Sequence, residues 1–170
     1  LYIDKEREGK WLFFDGWDNI IASEDYLKGK KHGFSKNFTP EGILLEEMQY
    51  VNDIQHGIWK RYYITGKPHI VGEIKNNQWD GDFIFYDATG RKLAVGKYKN
   101  NLQIGDWQFF DENEKLIKVV TYENGKERSK KVFQKEKDIE YLDMKEAEII
   151  MKKIRAGKPD NQPLDIPFGR

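Results

Sequence analysis

Gly9, Gly33, Gly57, Gly81 and Gly105 stand 24 residues apart. A fixed period of this length marks a stacked repeat, and it restricts the possible folds more than any single motif does. A second glycine comb holds Gly42, Gly66 and Gly90, continued by Glu114 and preceded by Asp18. A third comb holds Tyr26, Tyr50, Ile74, Tyr98 and Tyr122. Two residues past each glycine of the first comb lie Trp11, Ser35, Trp59, Phe83 and Trp107. Five residues past it lie Phe14, Phe38, Tyr62, Tyr86 and Phe110, an aromatic in every copy.

Each unit reads as a β-hairpin followed by a turn. GIWKRYYI is a β-branched and aromatic run, the composition of a strand. ITGK and DATG supply turn residues, with glycine where positive φ is needed. HIVGEI, LAVGKY and IKVVTY form the second strand, and the Asn-rich KNNQWDG and KNNLQIG link to the next copy. The fold class expected is mainly β: an elongated antiparallel meander of five 24-residue hairpin repeats over residues 1–133. At about 4.8 Å per strand, each unit advances the sheet by about 10 Å, and five units make roughly ten strands. Trp59 and Tyr62 lie three apart, so a regular strand would send them to opposite faces, unless a bulge or coiling intervenes.

The hairpin copies GIWKRYYITGK, GDFIFYDATGRKLAVGKYKNN and GDWQFFDENEKLIKVVTYENGK follow the pattern G-x-W-x-x-[FY] … G-[KR] … Y-x-[NK]-[GN]. This pattern resembles the MORN-type repeat, in the shorter variant found in bacterial proteins of the YwqK group, over residues ~7–128. The resemblance implies a scaffold or partner-binding surface. Bacterial members of the group are often antitoxin or immunity components, which implies a toxin protein as the partner. The second copy departs from the pattern, since Ser35 and Asn37 replace rings.

From Gln134 the style changes. Ile139, Leu142, Ala147, Ile150 and Ile154 recur at helical spacing, and Gly157 and Pro159 close the run. A capping α-helix is expected over 134–157 and an extended tail over 158–170. The chain starts at Leu1 and reads as a trimmed or processed product. The resemblance to bacterial proteins leaves the cytoplasm open, and also the periplasm or cell envelope after signal-peptide removal.

The 29 basic and 29 acidic residues balance, so the chain carries no electrostatic footprint for nucleic acid or an anionic membrane. No apolar run approaches the ~18 residues that span a bilayer. There is no Cys, hence no disulfide or thiol chemistry. His32 and His56 hold equivalent slots one unit apart, about 10 Å, too far to share a metal ion bound at about 2.1 Å. With His69 they read as solvated histidines, and neither a metal nor a cofactor is expected. The recurring turn acids Asp15, Asp87, Asp111 and Glu112 lack the cleft that paired-carboxylate chemistry requires. No catalytic residue is expected.

Residues that break the repeat are the candidates for binding. Trp17 occupies a hairpin turn where other copies have Glu41, Thr65, Thr89 and Asn113. Trp79 occupies a linking turn where others have Lys31, Gln55 and Gln103. Exposed aromatic and arginine side chains are enriched in binding hot spots, and Trp17, Trp79, Tyr63 and Arg61 are the expected partner contacts. The expected function is non-catalytic protein binding, with toxin neutralisation implied by the resemblance. A cell-envelope scaffold or surface lipoprotein is one alternative, and a carbohydrate-binding module is another.

Overall fold

The structure is a computed structural model, and it describes residues 6–133. The helix expected at 134–157 and the tail at 158–170 lie outside the described residues. The described residues belong to one compact unit.

Eleven strands follow one another: β1 (Gly9–Phe14), β2 (Ile20–Leu27), β3 (Lys30–Phe38), β4 (Leu44–Val51), β5 (Ile54–Tyr62), β6 (Pro68–Lys75), β7 (Gln78–Tyr86), β8 (Lys92–Lys99), β9 (Leu102–Phe110), β10 (Leu116–Glu123) and β11 (Lys126–Val132). They form one antiparallel sheet in which spatial order equals sequence order. The meander is therefore as expected, with one strand more than five hairpins supply. The extra strand is KERSKKV, a half-unit after the turn at Asn124–Gly125, with Ser129 in the slot that glycine holds in the first comb.

Asparagine pairs explain the linking turns. Asn76 and Asn77 have φ of 51° and 62°, and Asn100 and Asn101 have 50° and 65°. Two consecutive positive φ values make the tight hairpin turn whose twist matches the strands, and Asn tolerates them best after Gly. These turns also hook onto the previous unit. Asn77 N–H donates to the Gln55 carbonyl at 3.1 Å, and the Asn77 side-chain oxygen accepts from Gln55 N–H at 2.9 Å. Asn101 repeats both bonds with Trp79.

Gly57 shows why the central teeth of the first comb are glycine. Its φ is 123°, and a Cβ there would lie 2.0 Å from Gln49 Oε1. That oxygen instead accepts a hydrogen bond from Ile58 N–H at 2.9 Å. Gly33 and Asp25 make the same arrangement one unit earlier, with Phe34 N–H as donor.

Every hairpin also carries a one-residue bulge on its second strand. The register skips Ile21, Leu45, His69, Leu93 and Ile117, which themselves stand 24 apart. The extra residue sits on the second strand, so β5 keeps its alternation and Trp59 and Tyr62 lie on opposite faces. His69 is not a solvated histidine. It occupies an Ile/Leu position, is buried, and stacks on Tyr63 with ring centroids 4.4 Å apart.

One sheet face carries the core. Across β5 to β9, rings alternate with glycine in a single row: Trp59, Gly72, Phe83, Gly96, Trp107. A parallel row holds Ile70, Phe85, Ala94 and Phe109. Trp79 and Tyr98 join them, with centroids 4.5 Å from Trp79 to Phe83 and 5.1 Å from Tyr98 to Trp107. The opposite face carries Lys36, Glu47, Lys60, Val71, Ile84 and Val95 in one row, all half-buried.

Candidate binding surface

The ring-bearing face changes character along the sheet. From β5 onward it is aromatic and aliphatic. On β2 to β4 the same rows hold Glu24, Ser35, Met48 and Asn37, Glu46, with Arg61 in the second row on β5. Ser35 and Asn37 are the two ring positions that the second copy lacks, and their loss opens the face to polar side chains.

Those side chains hold one another by hydrogen bonds and ion pairs. Arg7 donates to Tyr26 Oη at 2.9 Å, and the Tyr26 hydroxyl donates to Glu24 Oε2 at 2.5 Å. Lys31 pairs with Glu24 Oε1 and lies 5.3 Å from the centroid of the Tyr50 ring. The Tyr50 hydroxyl accepts from Gln55 Nε2 at 3.1 Å and donates to Met48 Sδ at 3.0 Å. Glu46 accepts from Trp59 Nε1 at 2.8 Å through one oxygen and from Asn37 Nδ2 at 3.1 Å through the other.

Charge states follow from these contacts. Burial works against the Lys31 ammonium, but the bond to Glu24 and its negative charge outweigh it and hold Lys31 protonated above its ordinary range. Burial raises the Tyr50 hydroxyl, with Gln55 opposing. Burial also raises Tyr26, reinforced by its bond to Glu24 and opposed by Arg7. The surface therefore presents neutral phenols and a neutralised Lys–Glu pair at pH 7. Arg61 differs: half-buried in this row, its guanidinium makes no hydrogen bond or ion pair among the described residues. A fork of donors with fixed geometry suits a carboxylate or a carbonyl of a partner.

The four expected contacts part company here. Trp17 projects from the β1–β2 tip with 86% of its surface exposed; the tip is shaped by Asp15 Oδ1, which accepts from Trp17 N–H at 2.8 Å. Trp79 does not project. It is 1% exposed, lies in β7 and stacks within the ring block. The two-residue turn is already complete at Asn77, so Trp79 enters the next strand facing the core. Tyr63 is half-buried, stacked on His69, and its hydroxyl donates to the Tyr86 carbonyl at 2.9 Å. Arg61 alone lies in the polar stretch. Tyr63 and Trp17 sit at hairpin tips two units apart, about 19 Å along the sheet.

Reading the sequence alone missed Glu24, Lys31, Tyr50 and Glu46. The signal was available in Ser35 and Asn37, but which residues stand opposite them depends on register. Among the described residues no group of three or more His, Asp or Glu is placed to hold a metal ion, and no helix is long and apolar enough to cross a membrane.

Comparison with known proteins bears on the repeat unit itself. No curated protein matches the chain. The β9–β10 hairpin does have a counterpart: residues 103–124 match the family model described as the MORN repeat variant.

Proposed function

We propose that this protein is a non-catalytic binding module whose partner is another protein, held on the polar stretch of the ring-bearing face. The observation that carries this reading is the break in the ring columns at Ser35 and Asn37, where a hydrogen-bonded tyrosine–glutamate–lysine network, and an Arg61 with no polar partner among the described residues, replace an apolar ladder. Repeats of the MORN type are often binding modules, and the match at residues 103–124 agrees with that role. The finer reading, supported by the resemblance to the YwqK group, is neutralisation of a toxin.

A photo-crosslinking amino acid at position 61 tests the surface, with a second at position 97 on the opposite face as the control. In the native cell, position 61 yields one dominant protein adduct and position 97 yields none. Equal labelling from both positions, or none from 61, overturns the surface. For the toxin reading, the adducted partner is expressed alone and then with this protein. Growth arrest that co-expression relieves supports neutralisation; a harmless partner removes it. Retention of a glycan without any protein adduct transfers the function to carbohydrate binding.

A further inference from the structure

We infer that the face opposite the ring columns carries, over β3 to β5, a docking site for one amphipathic α-helix of a partner protein, with basic side chains on both flanks of its apolar stripe. The site goes beyond the reading above, which concerns the other face of the sheet.

Three solvent-facing columns change character on these strands. Phe34 and Ile58 stand where other copies hold Lys10, Asp82 and Asp106. Val51 shares its column with Lys75, Lys99 and Glu123, and also with Leu27. Ile54 shares its column with Lys30, Gln78 and Lys126, and also with Leu102. The register gathers the four apolar side chains around Gln49. Phe34 is its cross-strand partner on β3, Val51 lies two residues further along β4, and Val51 pairs with Ile54. Ile58 follows by alternation from Trp59, which faces the rings, and its N–H donates to Gln49 Oε1 at 2.9 Å. The four range from 40% exposed at Ile58 to 44% at Val51. Yet β3, β4 and β5 are interior strands, paired on both sides. The repeat places charge at these columns elsewhere, so apolar side chains in water here do not serve its own core.

The geometry of the patch selects a helix. Neighbouring strands occupy both edges of β3, β4 and β5, so main-chain pairing is unavailable there. An element laid on the face must satisfy its own backbone, as a helix does. A helix with its side chains is about 10–12 Å across, and β3 and β5 stand about 10 Å apart. One helix therefore lies over β4, on Gln49 and Val51, with Phe34 on one side and Ile54 and Ile58 on the other. The exposed apolar area is on the order of 300 Å², the size of a functional patch on a monomer. That is well short of the ~800 Å² per partner of a standard interface, and suits a single element.

The rim sets the charge of the occupant. Asp25 on β2 lies beside Phe34, whose N–H it accepts at 3.0 Å, and Glu73 on β6 is the cross-strand partner of Ile58. Each stands two strands, about 10 Å, from the β4 midline. Neither carboxylate has an ion-pair partner among the described residues, although Lys10 stands opposite Asp25 on β1. At the far end of the patch Glu47 pairs with Lys36 at 2.8 Å and with Lys60 at 3.6 Å. The excess positive charge there suits the C-terminal end of a helix. A second copy of this chain fits poorly. Two copies stacked on the patch about a two-fold axis would set Asp25 against Glu73, or each acid against its own equivalent. Lysine or arginine on both flanks of an apolar stripe meets both carboxylates.

The test uses the whole protein, labelled at its Ile and Val methyl groups, and a capped synthetic helix of about four turns. The peptide carries leucine along one stripe and lysine on both flanks. NMR follows the methyls of Val51, Ile54 and Ile58, with Val95 and Val119, further along the same face, as internal controls. The expected result is saturable shifts confined to the first three. A peptide with glutamate in place of lysine binds at least tenfold more weakly. Ile58→Asp and Val51→Lys install residues that other copies carry in the same columns, so the hairpins keep their fold. Each weakens the lysine peptide at least tenfold. Asp25→Asn combined with Glu73→Gln keeps the acceptor for Phe34 N–H and cancels the preference for lysine over glutamate. Several outcomes overturn the inference: no shifts, shifts shared by Val95 and Val119, or equal binding of the glutamate peptide. Unchanged affinity in both column variants, methyls already shielded from a soluble paramagnetic probe in the free protein, or self-association that moves the same methyls also overturns it.

Discussion

The indole of Trp107 closes over Gly96 of the neighbouring strand so tightly that a Cβ at position 96 would stand 2.1 Å from Trp107 Cδ2. Phe83 covers Gly72 in the same way one unit earlier. The buried ladder is thus built from ring and notch in alternation, and the notch is as specific as the ring. Gly96→Ala and Gly72→Ala should each destabilise the protein by about 1–3 kcal/mol, the usual cost of overpacking a filled core. Gly90→Ala is a poor control because of its positive φ, so the comparison is Ala88→Ser in the same hairpin tip, which should be near neutral. Urea denaturation measures all three; unchanged midpoints for the two notch variants would show that the rings move aside.

Trp59 and Trp79 offer a comparison within one ring pair, with centroids 5.2 Å apart. Both indoles are buried, but Trp59 Nε1 donates to Glu46 at 2.8 Å while Trp79 Nε1 has no acceptor among the described residues. Replacement by phenylalanine removes similar apolar surface at both sites. It breaks a charge-assisted bond at Trp59 and removes an unsatisfied donor at Trp79. Trp59→Phe should therefore cost more than Trp79→Phe by about 1–2 kcal/mol. Equal losses in thermal or chemical denaturation would contradict this.

Asp87 shapes the tip between β7 and β8. Partial burial works against its ionisation, yet bonds from Thr89 and from Arg91, backbone and side chain, prevail and lower its pKa from 3.8 to about 2. A carboxylate whose pKa is depressed by folding stabilises the native state above its unfolded value, and that contribution fades as pH falls through the folded value. The stability from Asp87 is therefore present above about pH 4 and is lost between about pH 4 and 2. Asp15 and Asp111 shift in the same direction, Asp15 chiefly through Asn19 and Asp111 through the Lys115 backbone. Asp87→Asn should lower stability at pH 7 and flatten this acid limb, as followed by circular dichroism against pH. An unchanged limb would assign acid sensitivity elsewhere.

Trp17 is 86% exposed and touches the fold mainly through its backbone. Trp17→Ala should leave stability within about 0.5 kcal/mol, as surface substitutions do. A larger loss would mean that the indole packs on its own chain. Arg61→Ala should likewise fold normally and weaken partner capture at the polar stretch, while Arg61→Lys, which keeps charge but loses the fork, restores only part of it.

Much of this fold is legible from residue spacing, because each unit repeats its own local instructions. Asn76–Asn77 and Asn100–Asn101 specify tight turns, the strands between them are short, and a hairpin forms from neighbours in sequence. The chain order of the strands follows with no long-range choice. The candidate surface was less legible. Ser35 and Asn37 stood out as broken teeth, but Glu24, Met48 and Glu46 stand opposite them only through cross-strand register.

Trp79 marks the boundary between the two kinds of information. By spacing it follows an Asn pair and reads as a turn residue; in the structure it is among the most buried side chains of the ring block. A strand alternates faces at every residue, so a turn that ends one residue sooner reverses which side a ring takes. The glycine and tyrosine periods determined the hairpin, its length and its copying along the chain. The bulge at His69 and its equivalents, together with the ring-over-glycine fit across strands, decided which face became apolar and where it turned polar. Turns are written in adjacent residues, whereas the facing of a side chain depends on contacts between strands that the sequence keeps apart.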